Sequence, residues 1–151
     1  YEPDLQIKFI KNLLNLANTS IDISDGLIDD LKKMLNRQNF SFHIFEKKIP
    51  VSKNLNLLMK IENFKKIDIT SKGDDYQILF TASPVKSRII NRISKTTGVK
   101  ITKIGKIISG KNKSKIINLK NKQIEAKNKG YIHQFWKLII VFFIFFCIVR
   151  A

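Results

Sequence analysis

Acidic residues are scarce in this chain of 151 residues, 12 against 28 Lys and Arg, so the places where they gather are where chemistry is sought first. Asp22, Asp25, Asp29 and Asp30 fall within nine residues, and Asp74 and Asp75 are adjacent. Half of the acids therefore sit in two short stretches. In Ser20-Ile21-Asp22-Ile23-Ser24-Asp25-Gly26-Leu27, Asp22 reads as a strand end and Asp25 as the start of the next helix. Two carboxylates so placed can converge on one hard cation. Mg2+ takes oxygen ligands, commonly one or two carboxylates plus the phosphates of a substrate. The helix N-terminus beside them offers free N–H groups and a positive dipole end, which suits phosphate. Ser24 can give a hydroxyl to a phosphate or cap the helix. The same residues also read as plain helix punctuation: Ser or Asp at the cap, with Asp29 and Asp30 early in the helix.

The second acidic stretch is Lys72-Gly73-Asp74-Asp75-Tyr76-Gln77-Ile78-Leu79-Phe80-Thr81. A Gly-Asp turn entering an apolar strand is a common structural feature. Two carboxylates beside a Tyr could equally bind a cationic or hydroxyl-bearing ligand. Gly105 to Asn112 comes close to the phosphate-loop pattern G-x-x-x-x-G-K-[ST], but it ends in Asn, which lacks the hydroxyl for Mg2+. Ile107 and Ile108 belong in a strand there, and no helix follows. The two histidines, His43 and His133, are far apart, and His43 sits in an alternating strand where a structural role is expected. Cys147 is the single cysteine, so no intrachain disulfide framework and no cysteine zinc site exist. Its apolar surroundings favour an inert thiol.

Elements of both kinds are needed to hold these residues. Residues 5–17 carry Leu5, Phe9, Leu13 and Leu16 at helical spacing, and 19–23 alternate as a short strand. A second helix is expected from about Ser24 to Arg37, with Leu27, Leu31, Met34 and Leu35 inward. Phe40 to Phe45 alternates as a strand. Ser52 is placed to cap a helix over 53–61. Tyr76 to Thr81 reads as a strand, and Pro84 opens a helix over 85–96 with Ile89, Ile90 and Ile93 inward. Beyond Gly98 come short β segments at 99–102, 104–108 and 115–119, expected to pair antiparallel. No internal repeat and no long Gly/Ser linker is present.

The net charge of +16 raises the question of a nucleic-acid partner. Of the 28 basic residues 24 are Lys, and Ile (26) and Asn (13) are also heavy, a pattern of A/T-rich codons. The stretch from Lys100 to Lys129 has ten Lys but no Arg and no aromatic ring. Binders of single strands and RNA pair positive charge with stacking rings or Arg. A solvated face of short strands is the expected reading, and a nucleic-acid-binding module stays an alternative function. At 44% hydrophobic, the chain can bury a core and is not a disordered basic tail. Tyr1-Glu2-Pro3-Asp4 is neither basic nor apolar, so no signal peptide is expected there, and a cytoplasmic location is. Methionine occurs only at 34 and 59, so the chain is expected to belong to a longer or a trimmed product.

Leu138 to Val149 is a run of twelve uncharged apolar residues. That is short of the ~20 that a membrane-spanning helix needs. A buried helix or strand and a segment that dips into a membrane interface are equally open.

Five segments together resemble one enzyme family. They are Ser20–Leu27, Ile49-Pro50-Val51-Ser52, Gly73–Thr81, Ile101–Ile107 and Gly130-Tyr131-Ile132-His133-Gln134-Phe135. In order and spacing they are similar to the C-terminal half of thiamine-monophosphate kinase. The resemblance implies an α+β fold, the C-terminal domain of the aminoimidazole ribonucleotide synthetase-like fold, with a mixed or antiparallel sheet packed with helices. It covers residues 1–135, leaving 136–151 as an apolar tail outside the family pattern, expected to be a frame-shifted or read-through extension. It implies transfer of the γ-phosphoryl group of ATP to thiamine monophosphate, assisted by Mg2+, giving thiamine diphosphate. By motif, Asp22 and Asp25 would be Mg2+ ligands and Ser24 an ATP contact. Asp74, where the family usually has Glu, would contact the substrate, and Tyr131 would pack on its thiamine part. The N-terminal half, with most Mg2+ ligands and the dimer contact of a full-length homodimer, is not in this chain. The chain alone is therefore expected to be inactive. A fold-retaining, non-catalytic fragment is the other alternative.

Overall fold

The computed structural model describes residues 7–36, 38–73, 76–118, 120–124 and 145–150. Five helices and seven strands follow in the order α1 (Ile7–Leu16), β1 (Ala17–Asp22), α2 (Leu27–Met34), β2 (Phe40–Phe45), α3 (Lys53–Ile61), α4 (Lys66–Thr70), β3 (Ile78–Ala82), α5 (Ser87–Thr97), β4 (Lys100–Ser109), β5 (Lys115–Ile117), β6 (Gln123–Ile124) and β7 (Phe145–Arg150). The strands form one sheet in the order β1-β3-β7-β4-β2-β5-β6. Pairing is antiparallel except between β2 and β5, which run parallel. The expected mixed sheet with helices is therefore present.

Alternating side chains send the sheet into two cores, one on each face. On β3, Leu79 joins a cluster with Leu27, Leu31, Ile44, Ile67 and Ile104, while Phe80 joins a second with Phe9, Leu13, Leu16, Ile90 and Val99. Helices α2 and α4 thus cover one face, and α1 and α5 the other. Every described position of the first apolar stripe is buried: Phe9, Leu13 and Leu16. On α5 the expectation is corrected in part. Ile90 is buried and Ile93 packs on the core, but Ile89, turned 100° around the helix from Ile90, is 53% exposed.

Other differences have local causes. The strand segments expected at 99–102 and 104–108 are one strand, β4, which passes through Gly105 with a shift in its register against β7. A side chain at 105 would come within 2.3 Å of the His43 carbonyl oxygen, so this glycine serves close strand packing and does not break the strand. After β4 comes a turn and then β5, with no helix, which removes Gly105–Asn112 as a phosphate loop. Ser52 caps α3 as expected, its hydroxyl oxygen accepting from the Leu55 N–H at 3.1 Å. Helix α4 was not anticipated. It holds only five residues, too few for a 3.6-residue period to show.

Of the apolar run 138–149, the part before Phe145 lies outside the described residues. Phe145–Arg150 is a strand, paired antiparallel to β3 on one side and to β4 on the other. Among the described residues no helix is long and apolar enough to cross a membrane.

Phe80 is fully buried and its ring lies 6.0 Å from that of Phe9. Replacing it by Ala removes the centre of the second core, and a loss of about 3–5 kcal/mol is expected for a large-to-small change of this kind. Urea unfolding of Phe80→Ala should show the drop with an unchanged slope; a loss below ~1 kcal/mol would contradict this packing.

Candidate functional site

The acidic stretch 22–30 turns the chain from β1 into α2. Asp22 ends β1 opposite Ile78, and Ile23 continues the ladder. Its N–H donates to the Gln77 carbonyl, and its own carbonyl accepts from the Tyr76 N–H, both at 2.9 Å. Then Ser24-Asp25-Gly26 makes a tight loop, and α2 begins at Leu27, three residues later than expected.

The delay has one physical cause, the Asp30 side chain. Helical side chains lean toward the N-terminus of their helix, so the carboxylate of Asp30 reaches back over the start of α2. Its Oδ2 accepts from the Ser24 N–H at 3.0 Å and from the Asp25 N–H at 2.9 Å. Its Oδ1 accepts from Lys33 Nζ at 2.8 Å. Lys33 Nζ also bonds Asp25 Oδ2. Asp30 is only 1% exposed. An internal carboxylate therefore ties down the loop that leads into the helix. The Ser24 and Asp25 amides, which lie just before the helix, are thereby bonded within the chain.

A second segment closes against this loop. Gly26 has φ 111°, and a Cβ there would come within 2.5 Å of the Ser71 carbonyl oxygen. Gly73 has φ 89°, and a Cβ there would come within 2.4 Å of the Ser24 carbonyl oxygen. Only glycine meets both demands, a left-handed backbone and the missing side chain. The end of α4 is thus pressed, backbone on backbone, onto Ser24–Gly26. Helix α4 is itself anchored by Glu46, whose Oε1 accepts from the Ile67 N–H at 3.3 Å.

The candidate residues are placed as follows. Asp22 is exposed, Ser24 half-buried and Asp25 buried, on one continuous turn. Asp74 and Tyr131 lie outside the described residues; Asp74 directly follows Gly73. Asp29 pairs with Lys32 at 2.7 Å on the surface, which is helix punctuation. Asp30 is not, and its importance was missed. The signal available was a carboxylate one turn inside the helix on the inward side of α2. Among the described residues no three His, Cys, Asp or Glu side chains form a group that could hold a metal ion. A cavity of about 330 Å³ lies elsewhere, at the other end of α2, with Lys32, Phe40, Ser41 and Lys111 in its wall.

Burial pushes the Asp30 carboxyl above the ordinary value of 3.8. The Ser24 N–H acts against this, and the negative charge of Asp22 adds to it. Burial, and then the nearby Lys106, lower the His43 imidazole below 6.5. Its strand partners are Lys106 and Lys115, so a structural, uncharged histidine is the consistent reading.

No protein-family model matches the chain. Curated relatives do. The chain is 36% identical over 121 residues to the thiamine-monophosphate kinase of Buchnera aphidicola subsp. Schizaphis graminum, covering 80% of this chain and 37% of that protein. It is 37% identical over 82 residues to the thiamine-monophosphate kinase of Aquifex aeolicus, covering 52% of this chain and 26% of that one. Among solved structures, thiamine-monophosphate kinase from Stenotrophomonas maltophilia K279a matches with TM-score 0.64 at 25% identity, covering 76% of this chain and 35% of that chain. AaThiL complexed with AMPPCP and TMP matches with TM-score 0.63 at 27% identity, covering 87% and 38%. The chain thus matches between 26% and 38% of the length of these relatives.

The raised Asp30 carboxyl gives a pH signature. Above 3.8, and up through its raised value in the fold, the folded chain holds a proton that the unfolded chain has lost. Stability contributed by Asp30 is therefore fully present below that window and falls as pH rises through it. Unfolding free energies of the natural chain and of Asp30→Asn, measured from pH 3.5 to 7, should differ more in favour of Asp at the acid end. A difference that grows with pH would contradict this.

Proposed function

We propose that this chain, which shares its sequence and fold with one part of the thiamine-monophosphate kinases, is the C-terminal part of such an enzyme. In that reading it contributes to phosphoryl transfer from ATP to thiamine monophosphate. The observation that carries this is the joint between the two acidic motifs. Residues 20–27 and 71–81, far apart in sequence, meet at Gly26–Ser71 and Gly73–Ser24 and share the Ile23–Tyr76–Gln77 ladder. Phosphoryl transfer asks for positioning and charge neutralisation more than for covalent chemistry by the protein. A seam that sets Asp22 and Asp25 on one turn beside the second motif suits that task.

The roles follow from placement. Asp22 faces solvent at the strand end, and Asp25 already holds a cation, the Lys33 ammonium. An all-oxygen donor pair of this kind fits Mg2+. Asp22 and Asp25 would hold it, and it would neutralise phosphate oxygens when bound. Ser24, between them, would offer its hydroxyl to ATP. Asp74, leaving the seam directly after Gly73, would contact the substrate, and Tyr131 would pack on the thiamine ring, where a cation meets an aromatic face. The AaThiL complex with AMPPCP and TMP supports ATP and thiamine monophosphate as the ligand pair. The N-terminal half, outside this chain, would supply the remaining Mg2+ ligands and the contact of a homodimer in the cytoplasm. Residues 1–135 would be the family domain and 136–151 an added tail.

The test is complementation. The chain is mixed with the separately expressed N-terminal half of the Buchnera relative, and thiamine diphosphate is measured with ATP and Mg2+. The chain alone should give none, and the mixture should give product. Asp25→Asn should lower the mixture's rate on the order of 10²-fold, as expected for losing one preorganised electrostatic group. Product from the chain alone would refute its being an inactive part. A folded, associated mixture without product would refute the kinase reading.

A further inference from the structure

Lys33 stands where a cation belongs. Its Nζ donates to Asp30 Oδ1 at 2.8 Å and also to Asp25 Oδ2. These two contacts differ in kind. Asp30 is 1% exposed and keeps two backbone N–H bonds whether or not Lys33 is present. Asp25 is also buried, but among the described residues its carboxylate is held by Lys33 alone, and it is the one the kinase reading assigns to a metal. The Lys33 side chain is itself 43% exposed, so its ammonium can turn to water without unpacking any core residue. A lysine ammonium is a compact point charge on a flexible stem, which makes it easy to displace. A divalent cation on the same carboxylate would repel it, because two like charges a few ångströms apart weaken each other's hold on that group.

We propose that Lys33 is a positioning residue, the resident counter-ion of Asp25, which a divalent cation displaces. In the metal-free chain it neutralises the carboxylate and keeps it aimed across the loop. When the cation takes Asp25, the ammonium withdraws toward Asp30 and solvent. Metal affinity at this loop is then set by an exchange of one cation for another. This inference rests on the reading of Asp25 as a metal ligand.

The direction of the effect separates exchange from a purely structural role. If Lys33 only props up Asp30 and the loop, removing it weakens metal binding. If it competes for Asp25, removing it strengthens binding. Mn2+ alone is titrated into the whole chain, followed by water-proton relaxation, for the natural chain and for Lys33→Met, Lys33→Arg and Asp25→Asn. Circular dichroism checks that each is folded. Lys33→Met should bind Mn2+ roughly fivefold tighter or more, the scale of an ordinary coupling between two ligands. Lys33→Arg, which restores the charge, should return toward the natural affinity. Equal or weaker binding by folded Lys33→Met would overturn the proposal. Asp25→Asn binding as well as the natural chain would overturn the metal reading itself, and absence of binding in every variant would overturn both. A readout on the natural chain needs no variant to fold. On Mg2+ addition the Lys33 Nζ and Cε NMR signals should move toward those of a free lysine. Signals that stay fixed while Mg2+ saturates the chain would also overturn it.

Discussion

One buried carboxylate organises the loop on which the rest of the site depends. Asp30 lies almost wholly out of water, and an ionised carboxylate there is tolerated only if its oxygens are bonded. Two backbone N–H groups and one ammonium meet that demand. The same bonds dictate the path of the chain. Ser24 and Asp25 must turn their amides inward toward α2, which delays the helix start to Leu27 and gives Gly26 its left-handed backbone. The flat, side-chain-free surface so formed is what Ser71–Gly73 can approach. From Asp30 outward, each contact requires the one before it.

Charge has a different meaning at this seam from its meaning over the whole chain. The +16 excess comes mostly from lysines spread along the sequence. At the seam, a single ammonium bonds both Asp25 and Asp30, and the charge of Asp22 is felt at Asp30. A concentration of negative charge with one mobile positive partner is a setting in which cations compete.

Much of the architecture was legible because periodicity is a direct imprint of burial. Phe40–Phe45 alternates with period two and is β2; Ser52 is followed by helical spacing and caps α3. Legibility failed where the pattern was too short or too uniform. Five residues cannot display a helical period, so α4 was invisible, though it carries Ser71 to the site. The run 138–149 is apolar at every position and so has no period; its described part is a strand, β7, set between β3 and β4. The glycine at 105 looked like punctuation because a sequence does not show that another strand's carbonyl passes within contact of it.

The sequence by itself determined which residues carry the chemistry and roughly which elements hold them. Acids are so few that Asp22, Asp25 and Asp74 stand out, and their flanking motifs were enough to name the family that they resemble. Only the tertiary structure decided that Asp30, which looks like any acid in a first helical turn, is the buried anchor of the loop. It also decided that the Ser24 and Asp25 amides are bonded to that carboxylate, and that Asp25 already faces a cation. The reason is physical. Spacing along a chain records which face a side chain is on, but the partners that satisfy a buried charge come from backbone turns and neighbouring segments that are fixed only when the chain has closed on itself.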